Sequence, residues 1–107
     1  MTSVVSEVHG RTVRAIDESA TELSLSLSEG WGLSIYNPFL VLLPDSGLAP
    51  SAKLLGDIIE FAEMTEAALT FEFKSGNKLI VSLQPDDYSG PEAAVIAGPN
   101  GQFVVVN

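Results

Sequence analysis

Two segments of this sequence alternate strictly between apolar and polar residues. In residues 23–28 leucine alternates with serine, and in residues 69–74 leucine or phenylalanine alternates with a polar side chain. Successive side chains of an extended strand point to opposite faces, so each segment predicts a β-strand with one buried face. An α-helix would scatter the same residues around its axis. The chain is therefore constrained to a mainly β fold.

The two alternating segments belong to a longer recurrence. A shift of 46 positions aligns residues 10–39 with residues 56–85 without a gap, and each unit predicts a three-strand meander. Gly30 and Gly76 fall in the two tight turns, where glycine supplies a positive φ at little cost. The matched positions are Val13 with Ile59, Leu23 with Leu69, Leu25 with Phe71, Leu27 with Phe73, Gly30 with Gly76, Leu33 with Leu79 and Ile35 with Val81. We interpret the recurrence as an internal duplication; the alternative, chance likeness of two amphipathic hairpins, predicts the same local structure.

The segment from Pro50 to Leu69 carries two conflicting signals. Its apolar residues fall at helical spacing, and helix-forming residue types dominate it. The recurrence instead predicts one short helix over residues 51–55, a break at Gly56 and a strand from Ile58 to Ala62. We follow the recurrence, because the first unit has no comparable helical pattern in residues 11–16.

A further hairpin is predicted over residues 92–107, with strands at Ala93–Ala97 and Phe103–Val106 joined by a Gly-Pro-Asn-Gly turn. The second of these strands does not alternate, which predicts that it is covered on both faces or paired with another chain. Residues 39–43 add a strand, followed by a loop at residues 44–47. The sequence thus predicts a single domain, residues 1–107, of about nine antiparallel strands forming a curved sheet, a sandwich or a small barrel.

Charge and cysteine content limit the partners. Fourteen acidic against five basic residues give a net charge of −9, which argues against nucleic acid and anionic membranes. The chain has no cysteine, and its first residues lack the basic and apolar regions of a secretory signal. No apolar run is long enough to span a bilayer. We expect a cytoplasmic protein.

The residues that could carry chemistry form no recognisable motif. We therefore predict no catalytic, cofactor-binding or metal site. His9 is the only histidine, and no nucleophile motif accompanies it. The adjacent acids Asp17-Glu18 face opposite ways on a strand, which disfavours paired acid and base chemistry. Asp86-Asp87 lie in an oxygen-rich loop that lacks the alternating spacing of a calcium-binding hand. If the protein were an enzyme, Asp86, Asp87, Tyr88 and His9 would be its first candidates.

Three segments together resemble a family of small bacterial proteins of unknown function, common in actinobacteria. They are residues 69–81, the Asp87-Tyr88 pair, and the glycine-rich turn with its valine-rich strand at residues 98–106. The likeness covers most of the chain. It implies relatedness to immunity proteins of bacterial toxin systems and implies no catalytic residues.

We therefore expect a non-enzymatic interaction protein, for example an acidic immunity-type inhibitor of a basic partner. The alternatives are self-association through sheet edges and a small-ligand-binding β domain. The polar face of the repeated strands, formed by Ser24, Ser26, Ser34, Thr70, Glu72 and Lys74, is one expected contact region. The side chains expected in an interaction surface are Trp31, Tyr36, Glu72, Asp86, Asp87 and Tyr88.

Overall fold

The structure, a computed structural model, describes residues 7–107. The prediction of no secretory signal rests on residues 1–6 and lies outside this range. The ten strands are β1 (Val13–Glu18), β2 (Leu23–Leu27), β3 (Gly32–Ile35), β4 (Phe39–Leu43), β5 (Gly47–Ala49), β6 (Ile59–Met64), β7 (Ala68–Phe73), β8 (Lys78–Ser82), β9 (Ala94–Ala97) and β10 (Phe103–Val106). The helical elements of residues 7–107 are three short 3-10 helices: Ser28–Gly30, Ser51–Leu54 and Pro85–Asp87.

The strands form two five-stranded antiparallel sheets. The first has the order β1-β2-β3-β9-β10, and the second has the order β5-β4-β8-β7-β6. The inner faces of both sheets contribute to one hydrophobic core. The predicted mainly β fold and its meanders are confirmed. The small barrel, one of the predicted shapes, is wrong, because the two sheets do not close into a barrel.

Each sheet is completed by a hairpin from the other half of the chain. The β4–β5 hairpin follows the first meander in sequence, but β4 pairs with β8 of the second meander. The β9–β10 hairpin follows the second meander, and β9 pairs with β3 of the first. The two halves are thus interlocked, and neither half has a complete sheet without the other.

The two meanders contact each other through hydrogen bonds that recur after 46 residues. The Gly10 N–H donates to the Ile59 carbonyl at 2.6 Å, and the Gly56 N–H donates to the Val13 carbonyl at 2.8 Å. Gly10 and Gly56 both take a positive φ, at 83° and 82°. A register shift follows Val13 in β1 and also follows Ile59 in β6. The equivalence extends the sequence recurrence to backbone geometry, while common origin of the two units stays a prediction.

The alternating residues fill the core as predicted. Burial of one such side chain contributes about 1.5–3 kcal/mol, so the repeated strands supply much of the hydrophobic stabilisation. The largest fully buried side chains are those of Phe71, Leu23, Leu25, Leu33, Ile35, Leu54, Ile59, Leu69, Leu79, Ile96 and Val8. Val8 and Leu54 are again 46 residues apart.

The residues between Pro50 and Leu69 form a strand rather than a long helix. The short helix is present as a 3-10 turn at Ser51–Leu54, Gly56 breaks it, and β6 runs from Ile59 to Met64. Local helix propensity is overridden because Ile59 is fully buried opposite Phe73 in the sheet. The tenth strand, β5, replaces part of the predicted loop at residues 44–47, since Leu43 pairs with Gly47 across a tight turn.

A polar contact ties the first residues of each unit to the turn of its own meander. In the first unit, Arg11 forms an ion pair with Glu29, and its guanidinium lies 5.2 Å from the centre of the Trp31 ring. At the positions 46 residues later stand Asp57, Ser75 and Asn77. The Asp57 carboxylate accepts hydrogen bonds from the Ser75 hydroxyl and, at 3.1 Å, from the Asn77 side-chain amide. The position of the contact is shared, but its chemistry differs.

Candidate functional site

A cleft of about 730 Å³ opens at one end of the two sheets. It lies where the β1–β2 turn and the end of β3 separate from the β4–β5 hairpin. The lining comes from residues 18–23, 35–41 and 48–51, together with Asp87 and Ser89. Segments distant in the sequence therefore meet here.

The cleft combines a buried apolar base with an exposed apolar rim. Leu23, Ile35 and Val41 line it and also belong to the hydrophobic core. Leu40 and Leu48 line it as well, yet they remain 50% and 68% exposed. Exposed leucines beside a cleft add apolar surface with which a ligand can pack.

The charged side chains of residues 7–107 that line the cleft are all acidic: those of Glu18, Glu22 and Asp87. Glu18 is the last residue of β1 and lies opposite Leu23, which directs it to the inner side of its sheet. Its carboxylate accepts a hydrogen bond of 2.6 Å from the Ser51 hydroxyl. Because Ser51 is itself buried, this contact fixes the carboxylate at the cleft wall.

Asp87 reaches the cleft from the connection between β8 and β9. It ends the 3-10 helix Pro85–Asp87, and its N–H donates to the Gln84 carbonyl at 3.0 Å. Its carboxylate also accepts a hydrogen bond from the Ser82 hydroxyl at the end of β8. The loop is thus tied to the second sheet, which holds the carboxylate in place.

Asn37 is a lining residue whose polar side chain is only partly satisfied. It is 2% exposed, and its Nδ2 donates to the Ser82 carbonyl at 2.8 Å. Its Oδ1 is buried and has no hydrogen-bond partner within residues 7–107. An unpaired buried acceptor costs about 1–3 kcal/mol, so this side chain lowers the stability of the cleft wall.

The cleft brings together two of the six side chains predicted from the sequence. Tyr36 and Asp87 both line it. Asp86 is exposed on the same 3-10 helix, and Tyr88 is half-buried against the hydrophobic core. These four side chains belong to the cleft or to its immediate border.

The other two predicted side chains lie elsewhere. Trp31 follows the β2–β3 turn, at the opposite end of β2 from the cleft, and is half-buried against the core. Glu72 is on β7 in the second sheet, paired with Lys78 on one side and Phe61 on the other. The sequence therefore joined into one surface residues that the fold separates.

The polar lining residues that were not predicted include Asn37, Ser51, Glu18 and Glu22. Asn37 and Ser51 had no distinguishing signal in the sequence, since polar residues beside prolines are typical of loops. The sequence presents Glu18 only as one half of the Asp17-Glu18 pair. In the structure, the two residues lie on opposite faces of β1, because Glu18 pairs with Leu23 and Asp17 pairs with Ser24. A repeat comparison could have singled out Glu18, because the equivalent position of the second unit is Met64.

Within residues 7–107 no group of three or more His, Cys, Asp or Glu side chains is placed to hold a metal ion. None of the helices in the same range has the length and apolar character needed to cross a membrane. Comparison of the chain with protein families, curated proteins and solved structures finds no match. The cleft is therefore interpreted from its own chemistry.

Proposed function

We propose that this chain is a non-enzymatic interaction protein that receives a basic segment of another protein in its acidic cleft. The observation that carries the proposal is the charge of the cleft wall, where each charged side chain in the described part of the chain is a carboxylate. The likeness to immunity proteins supports an inhibitor that occupies a basic surface of a toxin. The absence of cysteine from this chain fits a cytoplasmic setting.

The chemistry of the cleft matches a lysine or arginine side chain in two respects. The methylene groups of the lysine or arginine can pack on the exposed leucines, Leu40 and Leu48. The charged end of the same side chain can then meet Glu22 and Asp87. The cationic head has only hydrogen-bond donors, and the cleft carboxylates are acceptors. An acidic side chain would meet like charge at the cleft wall.

The net charge of −9 adds a long-range contribution. A negative field attracts a basic partner before contact and raises the association rate, an effect that salt screens. We therefore expect the association rate to fall as ionic strength rises, and the dissociation rate to change little.

The test compares charge-neutral variants inside and outside the cleft. Glu22→Gln and Asp87→Asn each remove one cleft carboxylate, and Glu63→Gln removes one exposed carboxylate on β6 as a matched control. Binding of a lysine- and arginine-rich peptide is measured by calorimetry, with a peptide of reversed charge for comparison. The cleft variants should weaken binding by about tenfold or more, a loss of roughly 1.4 kcal/mol, and the control by less than about threefold.

Equal weakening by all three variants would show that net charge, rather than the cleft, attracts the peptide. That result would refute the proposed site. Failure of the basic peptide to bind more tightly than the reversed-charge peptide would refute the proposed function.

The size of the cleft favours a second candidate function. A volume of about 730 Å³ falls within the range of roughly 300–1,000 Å³ that holds small molecules. A small organic cation such as a polyamine would meet the same carboxylates and leucines. Titration with a free polyamine beside the peptide separates the two, because a small-ligand site would bind the polyamine at least as tightly.

A further inference from the structure

Within residues 7–107 the two sheets leave four edge strands, and three of them are protected against pairing with another chain. β1 and β6 each contain a register shift, and the residue inserted by the shift is charged: Arg14 in β1 and Glu60 in β6. β5 is only three residues long and is followed by Pro50. Bulges, charges, proline and shortness are the usual means by which natural sheets avoid edge pairing.

The fourth edge, β10, has none of these protections. It runs for four residues, Phe103–Val106, in unbroken register with β9. Residues 93–107 contain no Asp, Glu, Lys or Arg, although the whole chain carries a net charge of −9. Phe103 is 65% exposed. An unprotected apolar edge on an otherwise repulsive surface marks a contact site.

The hydrogen bonds of the β9–β10 hairpin define which backbone groups of β10 are free. The Gly98 N–H donates to the Gln102 carbonyl at 2.7 Å, and Val104 lies opposite Ile96. Since alternate residues of a strand direct their N–H and C=O groups to opposite sides, Val104 faces β9 and the groups of Phe103 and Val105 face outward. As far as residues 7–107 are concerned, this edge thus presents two unpaired donors and two unpaired acceptors.

We propose that two copies of the chain associate through their β10 strands, antiparallel and centred on Val104. Phe103 of one copy then pairs with Val105 of the second copy, and the reverse pair completes four backbone hydrogen bonds. The first sheets of both copies become one ten-stranded sheet. A second copy is the partner that fits, because its β10 is equally uncharged and presents the same donors and acceptors, which are self-complementary in an antiparallel pair.

The outer face of the hairpin supports the same arrangement. Phe103 lies opposite Ala97 and Val105 opposite Val95, so their side chains form one apolar patch beside the free edge. Across the two-fold axis, each Phe103 would lie next to the second copy's Val105 and extend the patch over both copies. Cross-strand pairs of aromatic and β-branched residues contribute roughly 0.2–1 kcal/mol each.

A single cysteine tests the register, because the natural chain contains none. In the proposed pairing, the two Val104 residues form a non-hydrogen-bonded pair with Cα atoms about 4.5 Å apart, a distance compatible with a disulfide. Val104→Cys should therefore form a covalent dimer on mild oxidation. Ala15→Cys, on the opposite edge of the same sheet, is the control and should cross-link much more slowly.

A second experiment measures association without cross-linking. Sedimentation of the unmodified chain from micromolar to millimolar concentration should show a monomer–dimer equilibrium. Phe103→Lys places like charges beside the two-fold axis and should raise the dimer Kd by about tenfold or more. Phe61→Lys is the matched control, since Phe61 is an exposed aromatic residue on β6, an edge strand of the second sheet, and the change should leave Kd unchanged.

Circular dichroism of each variant establishes that it is folded. A chain that stays monomeric at every concentration would overturn the proposal, as would equal effects of Phe103→Lys and Phe61→Lys. Cross-linking of the Val104→Cys chain no faster than that of the Ala15→Cys chain would overturn the pairing centred on Val104.

Discussion

The polar contact centred on Asp57 is predicted to be a major source of stability. Its carboxylate accepts hydrogen bonds from the Ser75 hydroxyl, from the Asn77 side chain and from the Ile58 N–H. Asp57→Ala removes all of them and leaves the buried Asn77 amide with one contact of 3.4 Å to the Lys53 carbonyl. A buried hydrogen bond to a charged group contributes about 1.5–3 kcal/mol, and bonds on the exposed side contribute less.

We therefore expect Asp57→Ala to lower the free energy of unfolding by about 2–3 kcal/mol. For a domain of this size such a loss shifts the thermal midpoint by about 10 °C or more. Urea unfolding followed by far-ultraviolet circular dichroism measures the loss directly. Asp45→Ala, in an exposed turn, should change stability by less than about 0.5 kcal/mol.

The equivalent contact of the first unit provides the decisive comparison. Arg11 pairs with Glu29, whose side chain is 74% exposed, and lies over the Trp31 ring. An exposed ion pair contributes about 0–1 kcal/mol and a cation–π contact about 0.5–1 kcal/mol. Arg11→Ala should therefore destabilise less than Asp57→Ala. An equal or larger loss for Arg11→Ala would refute the argument that burial of Asn77 makes the second contact the stronger one.

Two further predictions concern the turns and the core. Gly56→Ala should cost about 1–2 kcal/mol through its positive φ alone, because the space around the added Cβ is open. Gly30→Ala should cost more, since its Cβ would also approach the Pro99 side chain to 2.8 Å; equal losses in urea unfolding would contradict this. Phe71→Ala should cost about 3–5 kcal/mol, whereas Phe61→Ala, at a half-exposed side chain, should cost no more than about 1 kcal/mol. Thermal unfolding of both variants checks this difference, and similar midpoints would contradict the assigned core.

The strands could be predicted because their evidence is local. Alternation in residues 23–28 and 69–74 identifies two strands and their buried faces, and both are present as β2 and β7. Glycine at positions 30 and 76 identifies the turns, and both residues take a positive φ. The recurrence also resolved the conflict over residues 56–68, where local propensity favoured helix and the structure has β6.

The arrangement of the strands could not be predicted in the same way. The pairing of β4 with β8 joins residues about forty positions apart, and no pattern within β4 specifies that partner. The cleft depends on this pairing, because the β4–β5 hairpin forms one of its walls. Its residues therefore could not be brought together by sequence reasoning, and the predicted surface included Trp31 and Glu72, which lie away from it.

The cleft arises where the two related halves differ. β1 ends in Glu18, and the equivalent residue of β6 is Met64, so only the first unit carries a carboxylate at this point. The connection from β3 to β4 spans residues 36–38, whereas that from β8 to β9 spans residues 83–93 and includes the 3-10 helix that carries Asp87. The residues shared by the two units form the sheets and the core, and the residues that differ between the units supply the acidic groups of the cleft.

Exchanging Glu18 for Met should therefore weaken binding of a basic peptide while leaving the fold intact, because methionine already occupies the equivalent position of the second unit. Calorimetry measures the peptide affinity and circular dichroism measures folding on the same sample. Unchanged peptide affinity in a folded Glu18→Met chain would show that the Glu18 carboxylate does not contribute to binding.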